Sequence, residues 1–367
     1  MVSVIIDNYN YGRYIGQAIE SVLNQTYTDF EIIVVDGASN DDSKEVIEKY
    51  VSKYPEKIRA FYREKSGQAG SFNLGYKESK GDIICFLDAD DYFYENKLEV
   101  VVKKLESCDF LGNARKHFGD VPEKEYISPI DTTKNRQELF RKYGYVYTYN
   151  LITSCLSAKR DLLKKILPMP EDGYITHADM YIKLMAQYYS DITYIPEVLT
   201  AYRIHNTQKN SEFKDAKASS DYLEEYYNQV FEDINKALTK TGFATVPKLT
   251  DENLEKVFNI ANPDSRIKRG GVYALCGAGV NSYKLLNVLN TVGAKVKYVS
   301  DSNSSKWGTI WNGIEVISHE ALVEKRSEYE QILIGTFGYH KEIAAQLESL
   351  GMKEGKDFFV PMSLPMD

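Results

Sequence analysis

Along its first ninety residues the chain alternates short apolar runs with stretches of helical spacing. VSVII (2–6) reads as a buried strand, followed by a polar Asp-Asn-Tyr-Asn loop and a helix from about Tyr14 to Gln25. EIIVVD (31–36) is a second buried strand that ends on a carboxylate. A turn-rich stretch (37–42) leads into helical spacing over 43–54, and IRAFY (58–62) alternates as a strand does. A glycine-bearing loop and a helix fill 66–81 before DIICFL (82–87), another buried strand. Strands alternating with helices predict an α/β fold with a mostly parallel sheet. In such sheets ligands bind outside the carboxyl ends of the strands. Asn8, Asp36, Asp88 and Asp90 all follow strand ends.

Beyond residue 95 the pattern changes. Residues 95–165 read as helix-rich, a helix opens near His177-Ala178-Asp179, and 192–205 reads as strand, turn and strand. Residues 211–262 are charged and helical without strand signals. A second α/β pattern starts near Gly271: VYALC (272–276), the tight turn Gly277-Ala278-Gly279, a helix over 281–289, then KVKYVSD (295–301) ending in Asp301. QILIG (331–335) and a helix over 340–350 continue it. The expected division is a first α/β domain at 1–210, a helical connector at 211–265 and a smaller Rossmann-like α/β domain at 266–367. The Gly-x-Gly turn is an incomplete dinucleotide fingerprint, because its third glycine position is Ser282.

Composition adds exclusions. With 45 basic and 53 acidic residues the net charge is −8, which argues against nucleic acid as a partner. The four cysteines, Cys85, Cys108, Cys155 and Cys276, form no metal-type pair and fit a reduced, cytoplasmic protein. No run approaches the ~20 apolar residues of a membrane span, and the amino-terminal stretch lacks a basic leader. Peripheral association at the inner face of a membrane stays open. The 29 tyrosines suit stacking on sugars and bases as well as ordinary packing.

The chemistry concentrates at Asp88-Ala89-Asp90-Asp91. A strand that delivers clustered carboxylates into a loop invites a divalent cation; Mg²⁺ or Mn²⁺ takes one or two carboxylates plus phosphate oxygens. The bland alternative is an acidic turn. VSVIIDNYNYGRYIGQAIESVLNQTYTDFEIIVVDGASNDDS (2–43), SGQAGSFNLGYKESKGDIICFLDADD (66–91), HADMYIKLMAQY (177–188) and YIPEVLTAYRIHNTQKNS (194–211) together resemble the inverting glycosyltransferases of family 2. These have the GT-A fold, a Rossmann-like, mostly parallel sheet carrying a DXD motif.

The resemblance implies roles. Asn8, Tyr9 and Asn10 would hold the nucleotide base and ribose, with Asp36 a further partner. Gly67, Gln68, Asn73 and Gly75 match the loop near nucleotide and donor sugar. Asp90 and Asp88 form the DXD motif that holds the metal. Asp179 matches the catalytic base that deprotonates the acceptor; its alternative is helix capping. Tyr202, Arg203 and His205 match a late loop, Arg203 suiting the diphosphate and His205 phosphate or metal. Two departures stand out: Asp36 is followed by Gly-Ala-Ser rather than a second aspartate, and His177-Ala178 precedes Asp179 where the family usually has glutamate.

The implied partners are a nucleoside-diphosphate sugar, UDP-sugars foremost, and a glycan or lipid-linked glycan acceptor in cell-surface polysaccharide synthesis. Competing readings are an NAD(P)-dependent oxidoreductase or epimerase working through the C-terminal unit, and a non-catalytic sugar-nucleotide-binding protein. Against the first, the only Tyr-x-x-x-Lys spacing of interest is Tyr76 to Lys80, outside that unit.

Overall fold

A computed structural model describes residues 1–65, 67–127, 136–144, 151–172, 177–205, 216–248, 250, 266–291, 293–336 and 339–361. The chain divides into two compact units. One comprises 1–128, 148–212 and 228–245; the other 129–147, 213–227 and 246–367.

The first unit begins β1 (Val2–Asn8), α1 (Gly12–Leu23), β2 (Phe30–Asp36), α2 (Ser43–Lys53), β3 (Ile58–Tyr62), α3 (Gln68–Glu78) and β4 (Ile83–Asp88). β5 (Tyr92–Phe93), α4 (Lys97–Leu105), β6 (Phe110–Gly119) and β7 (Lys124–Tyr126) follow. A helix at Arg136–Tyr143, α5, falls in the second unit, after which come β8 (Leu156–Lys159), α6 (Arg160–Leu163), α7 (Asp179–Tyr189) and β9 (Ile192–Ile204). The sheet runs β3-β2-β1-β4-β8-β6-β9-β5, with β7 on β6. β3, β2, β1 and β4 are mutually parallel. β1 and β2 are apolar on successive residues because helices cover both faces of a central parallel strand. Val4, Ile6, Ile32 and Val34 pack with Ile15, Ile19, Val22 and Ile47 from α1 and α2.

Two expectations fail here. The stretch 95–165 is not simply helix-rich: α4 is helical, but β6, β7 and β8 are strands. Gly112, Asn113 and Lys116 make β6 a weak strand former by propensity. It forms between β8 and β9, whose backbone groups it pairs, so tertiary context overrides local preference. Residues 192–204 are one strand, not two. Pro196 sits where the β6 register moves from Asn113–Ile195 to Ala114–Val198. The irregularity absorbs the residue that cannot donate to a ladder.

α8 (Ala216–Lys240) is helical, as the spacing over 211–262 predicts; the expectation over 251–265 lies outside the described residues. The second unit's sheet contains β10 (Val272–Cys276), β11 (Lys295–Ser300), β12 (Ile310–Trp311), β13 (Ile314–Ile317), β14 (Gln331–Ile334) and β15 (Phe358–Phe359). Its helices include α9 (Val280–Thr291), α10 (His319–Glu324) and α11 (His340–Ser349). The order β12-β13-β11-β10-β14-β15 is parallel except for the β12–β13 hairpin. Successive strand residues face opposite layers. Tyr273 and Leu275 pack with Leu285 and Leu289 of α9, whereas Ala274 and Cys276 pack with Leu322, Ile343 and Leu347. This is a small doubly wound sheet. Among the described residues no helix is long and apolar enough to cross a membrane.

Candidate functional site

Strand register assembles the site. Asn8 lies opposite Asp36, and Asp7 opposite Asp88, so three strand ends present polar groups at one level. Asn8 is fully buried; its Nδ2 donates to Asp36 Oδ2 at 2.7 Å and to Ser39 Oγ at 3.3 Å. Asp36 Oδ1 accepts from the Ser39 amide at 2.9 Å. Ser39 Oγ accepts from the Asn10 amide at 2.8 Å, and Asn10 Oδ1 from the Asn40 amide at 2.8 Å. This folds the two loops onto each other. Asn10 and Ala38 both have φ in the left-handed region, 59° and 67°. Asparagine visits it readily, alanine at a cost of about 1–2 kcal/mol. Asn8 Oδ1 is a buried acceptor without a protein partner. Tyr9, beside it, is 46% exposed.

The carboxylates after β4 have distinct surroundings. Asp91 faces inward: Ser154 Oγ donates to its Oδ2 at 2.6 Å and the Arg203 amide to its Oδ1 at 2.9 Å. Asp90 Oδ2 meets His205 Nε2 at 3.0 Å, and its carbonyl accepts from Arg203 Nε at 2.7 Å. Rings of Tyr11 and Tyr14 flank His205, their centroids 5.6 and 5.2 Å away. The Arg203 guanidinium lies over Tyr14 and Phe118 at 4.3 and 4.4 Å. Asp88 Oδ1 accepts from Gln68 Nε2 at 3.0 Å. Burial, then repulsion from Asp91, Asp90, Asp7 and Asp179, pushes the Asp88 carboxyl well above the usual range. Burial likewise pushes Asp7 up to about 6, against a hydrogen bond from Ser71. Carboxylates crowded in this way favour a cation or a proton among them.

No metal-ready group of three or more His, Cys, Asp or Glu side chains occurs among the described residues. The Asp90–His205 pair is instead a donor set of two side chains. That suits a hard divalent ion, which takes few protein ligands and completes its shell with phosphate oxygens and water. The residues therefore fit such an ion.

Asp179 opens α7 one residue after the N-cap, Ala178, and no side chain caps that end. It is 8% exposed, and its Oδ2 pairs with Lys183 Nζ at 3.0 Å one turn on. Lys183 also donates to the Leu151 carbonyl at 2.6 Å. His177 takes φ of 61°, which turns the chain sharply into the helix. The Ala178 amide donates to Gln68 Oε1 at 2.9 Å. Gln68 thus ties the strand end bearing Asp88 to the start of α7.

Not every expected residue joins this cluster. Asn73 uses both ends of its amide on Met169, donating to its carbonyl at 2.8 Å and accepting from its amide at 2.9 Å. Gly75 faces Ile5, where a β-carbon would lie 2.4 Å from Cγ2. Gly67, with φ of 129°, caps α3 and offers its carbonyl to Arg63 Nη1 at 3.2 Å. Tyr202 pairs with His117 across β9 and β6. Residues 206–211 of the late loop lie outside the described residues. The sequence reading missed Asp7, Ser39, Ser154 and Lys183. Asp7 had a signal, a carboxylate at a strand end beside Asn8; Ser154 had none, because only the fold brings it to β4.

A family model described as "Glycosyl transferase family 2" matches residues 3–167. "Uncharacterized glycosyltransferase alr2836" of Nostoc sp. is 33% identical over 227 residues, covering 60% of this chain and 69% of that protein. "Uncharacterized glycosyltransferase RP339" of Rickettsia prowazekii is 30% identical over 273 residues, 73% of this chain and 82% of that protein. A Rickettsia bellii glycosyltransferase matches over only 20% of its own length. S. aureus TarS 1–349 in complex with UDP-GlcNAc superposes with a TM-score of 0.49 at 17% identity, covering 79% of each chain. With these two relatives matched over more than two thirds of their length, the chain belongs to glycosyltransferase family 2.

Proposed function

We propose that this glycosyltransferase moves a hexosyl group from a nucleoside-diphosphate sugar, UDP-sugars foremost, to an acceptor hydroxyl with inversion at the anomeric carbon. The observation that carries this reading is the linkage of Asp88 through Gln68 to the helix that Asp179 opens. Asn8, Asn10 and Asp36 form a polar shelf for base and ribose, with the unpartnered Asn8 Oδ1 beneath it. Tyr9, exposed beside them, offers a ring for stacking.

Asp90, Asp88 and His205 would hold Mn²⁺ or Mg²⁺. That ion supplies charge neutralisation on the departing diphosphate. Arg203, fixed to the Asp90 carbonyl and stacked on two rings, adds a fixed positive charge beside the same position. Asp179 removes the acceptor proton as the hydroxyl attacks opposite the leaving group. Lys183 holds that carboxylate in place. The reading extends to a glycan or lipid-linked glycan acceptor in cell-surface polysaccharide assembly, with the enzyme working in the cytoplasm or at the inner membrane face.

The test is calorimetric titration of UDP, GDP and CMP with and without Mn²⁺. Metal-dependent binding of one nucleoside diphosphate, lost in Asp90→Ala, is expected. Equal binding in EDTA, unaltered by Asp90→Ala, would overturn the assignment. Asp179→Asn should bind the donor and fail to transfer it.

A further inference from the structure

The second unit contains a crevice that sugar transfer in the first unit does not use. With the antiparallel hairpin strand β12 left out and counting from β10, its parallel strands lie in the order 3-2-1-4-5, so the winding reverses between β10 and β14. In doubly wound sheets ligands bind outside the strand carboxyl ends at that reversal. Gly277-Ala278-Gly279 leads from β10 at this place into the 12-residue α9. Gly277 has φ of 97°, a conformation that favours glycine. Gly279 is the residue before the helix, and a β-carbon built on it meets nothing within 4 Å. The first amides of α9 and the positive end of its dipole are therefore approachable by an anion.

A second observation lies inside the crevice. Ser282, in the first turn of α9, is 1% exposed, and its Oγ has no hydrogen-bond partner. That oxygen is 3.4 Å from a β-carbon built on Gly277 and 2.2 Å from one built on Gly335, just beyond β14. It is wedged between the two strand ends that flank the reversal. A buried hydroxyl left unpaired costs about 1–3 kcal/mol, which a ligand acceptor would offset. The same contact explains why the glycine fingerprint is incomplete. Its third glycine allows close packing of helix on strand. Here position 282 keeps a side chain, and the space is made by Gly335 just beyond the neighbouring strand.

A cation completes the picture. Asp301, just after β11, accepts from the Ala278 amide at 2.8 Å and from Lys306 Nζ at 2.8 Å. Lys306 also donates to the Ala278 carbonyl at 3.2 Å, and its side chain is 40% exposed. The carboxylate thus fastens the glycine turn and holds an ammonium group beside it.

We propose that this crevice binds the diphosphate of a nucleotide without a metal ion, on the α9 amino-terminus and Lys306, with the Ser282 hydroxyl turned to it. The diphosphate is shared by mononucleotides and dinucleotides, so the probes are ADP, UDP and NAD⁺. They are titrated calorimetrically in EDTA into the full-length chain, in which the metal-dependent donor site proposed above is silent. One equivalent per chain is expected, retained in Asp90→Ala. Gly279→Asp should weaken it at least tenfold, because its carboxylate takes the anion's place. Aspartate is a favoured N-cap, so this variant should melt no lower than the wild type. Lys306→Gln should weaken binding severalfold. Binding of all three probes assigns recognition to the diphosphate; binding of NAD⁺ alone assigns the dinucleotide; either supports the site. No binding in EDTA, or binding that Gly279→Asp leaves unaltered, overturns it. Loss of metal-dependent donor binding would leave this result untouched, so the two readings fail separately.

Discussion

Gln68 Nε2 donates to Asp88 Oδ1 at 3.0 Å while the same side chain's Oε1 accepts from the Ala178 amide at 2.9 Å. One glutamine therefore sets the distance between the DXD strand end and the helix that presents Asp179. Its resemblance-based role was contact with the nucleotide; its observed partners are Asp88 and α7. Gln68→Ala removes a donor to a carboxylate, an interaction worth about 1.5–3 kcal/mol, and frees the Ala178 turn. Transfer should fall by about 10- to 100-fold, read from steady-state kinetics, with a lowered urea midpoint beside it. Gln68→Glu places a further carboxylate against Asp88 and should be worse still. Activity within twofold of wild type in both variants would remove Gln68 from the argument.

Asp179 and Lys183 separate chemistry from stability. If Asp179 is the base proposed above, Asp179→Asn keeps the shape but not the base, so transfer should fall by about 10²–10⁴ with donor binding intact. Lys183→Met leaves Asp179 buried without its cation, and breaking a buried pair costs about 3–5 kcal/mol. That variant should show a lowered urea midpoint as well as lost activity. If Lys183→Met unfolded at the wild-type midpoint, the pair would not be holding α7 in place.

The parts of this molecule that were legible in sequence are those governed by local pattern. β1, β2 and β4 announce themselves as β-branched runs buried on both faces, and the carboxylates at their ends follow from strand direction. β6 does not, because FLGNARKHFG carries little strand preference and is held by its neighbours. Ser154 is illegible for the same reason, its partner Asp91 being set by packing, whereas Lys183, one turn beyond Asp179, had an i, i+4 signal. The motif around Asn73 did not show that its amide is held by Met169 from a distant loop. In the second unit Gly277 and Asp301 were visible. That Gly335 supplies the space Ser282 needs required the sheet.

His117 gives a pH dependence. Its Nε2 accepts from Arg115 Nε at 3.0 Å, and its ring stacks on Tyr126 with centroids 3.7 Å apart. Burial, then the charges of Arg115 and Lys124, lowers the imidazole from 6.5 to about 3. Between those values the unfolded chain binds a proton that the folded chain refuses. The contribution to stability is therefore complete above pH 6.5 and is lost as the pH falls from 6.5 toward 3. Urea midpoints measured across that range should fall less steeply for His117→Gln, which can keep an acceptor for Arg115 but does not titrate. Parallel curves for the two proteins would show that the folded imidazole protonates normally.

Gly75 lies within α3, where alanine would ordinarily gain about 1 kcal/mol of helix propensity. Its neighbour decides the sign. A β-carbon there would stand 2.4 Å from Ile5 Cγ2, on a fully buried residue of β1, two positions before Asp7. Overpacking of this kind costs about 1–3 kcal/mol, so Gly75→Ala should lower stability on balance despite the better helix former. Ile5→Ala alone should also destabilise, by about 2–5 kcal/mol, through the cavity it leaves. The double variant should be more stable than the two losses added together, because the new methyl enters the space that Ile5 vacates. A double-mutant cycle from urea unfolding reads this as a coupling energy of about 0.5–3 kcal/mol. Additive losses would mean that α3 moves aside as a unit, and in that case the Gln68 linkage at its amino end should weaken and transfer by Gly75→Ala should fall with it.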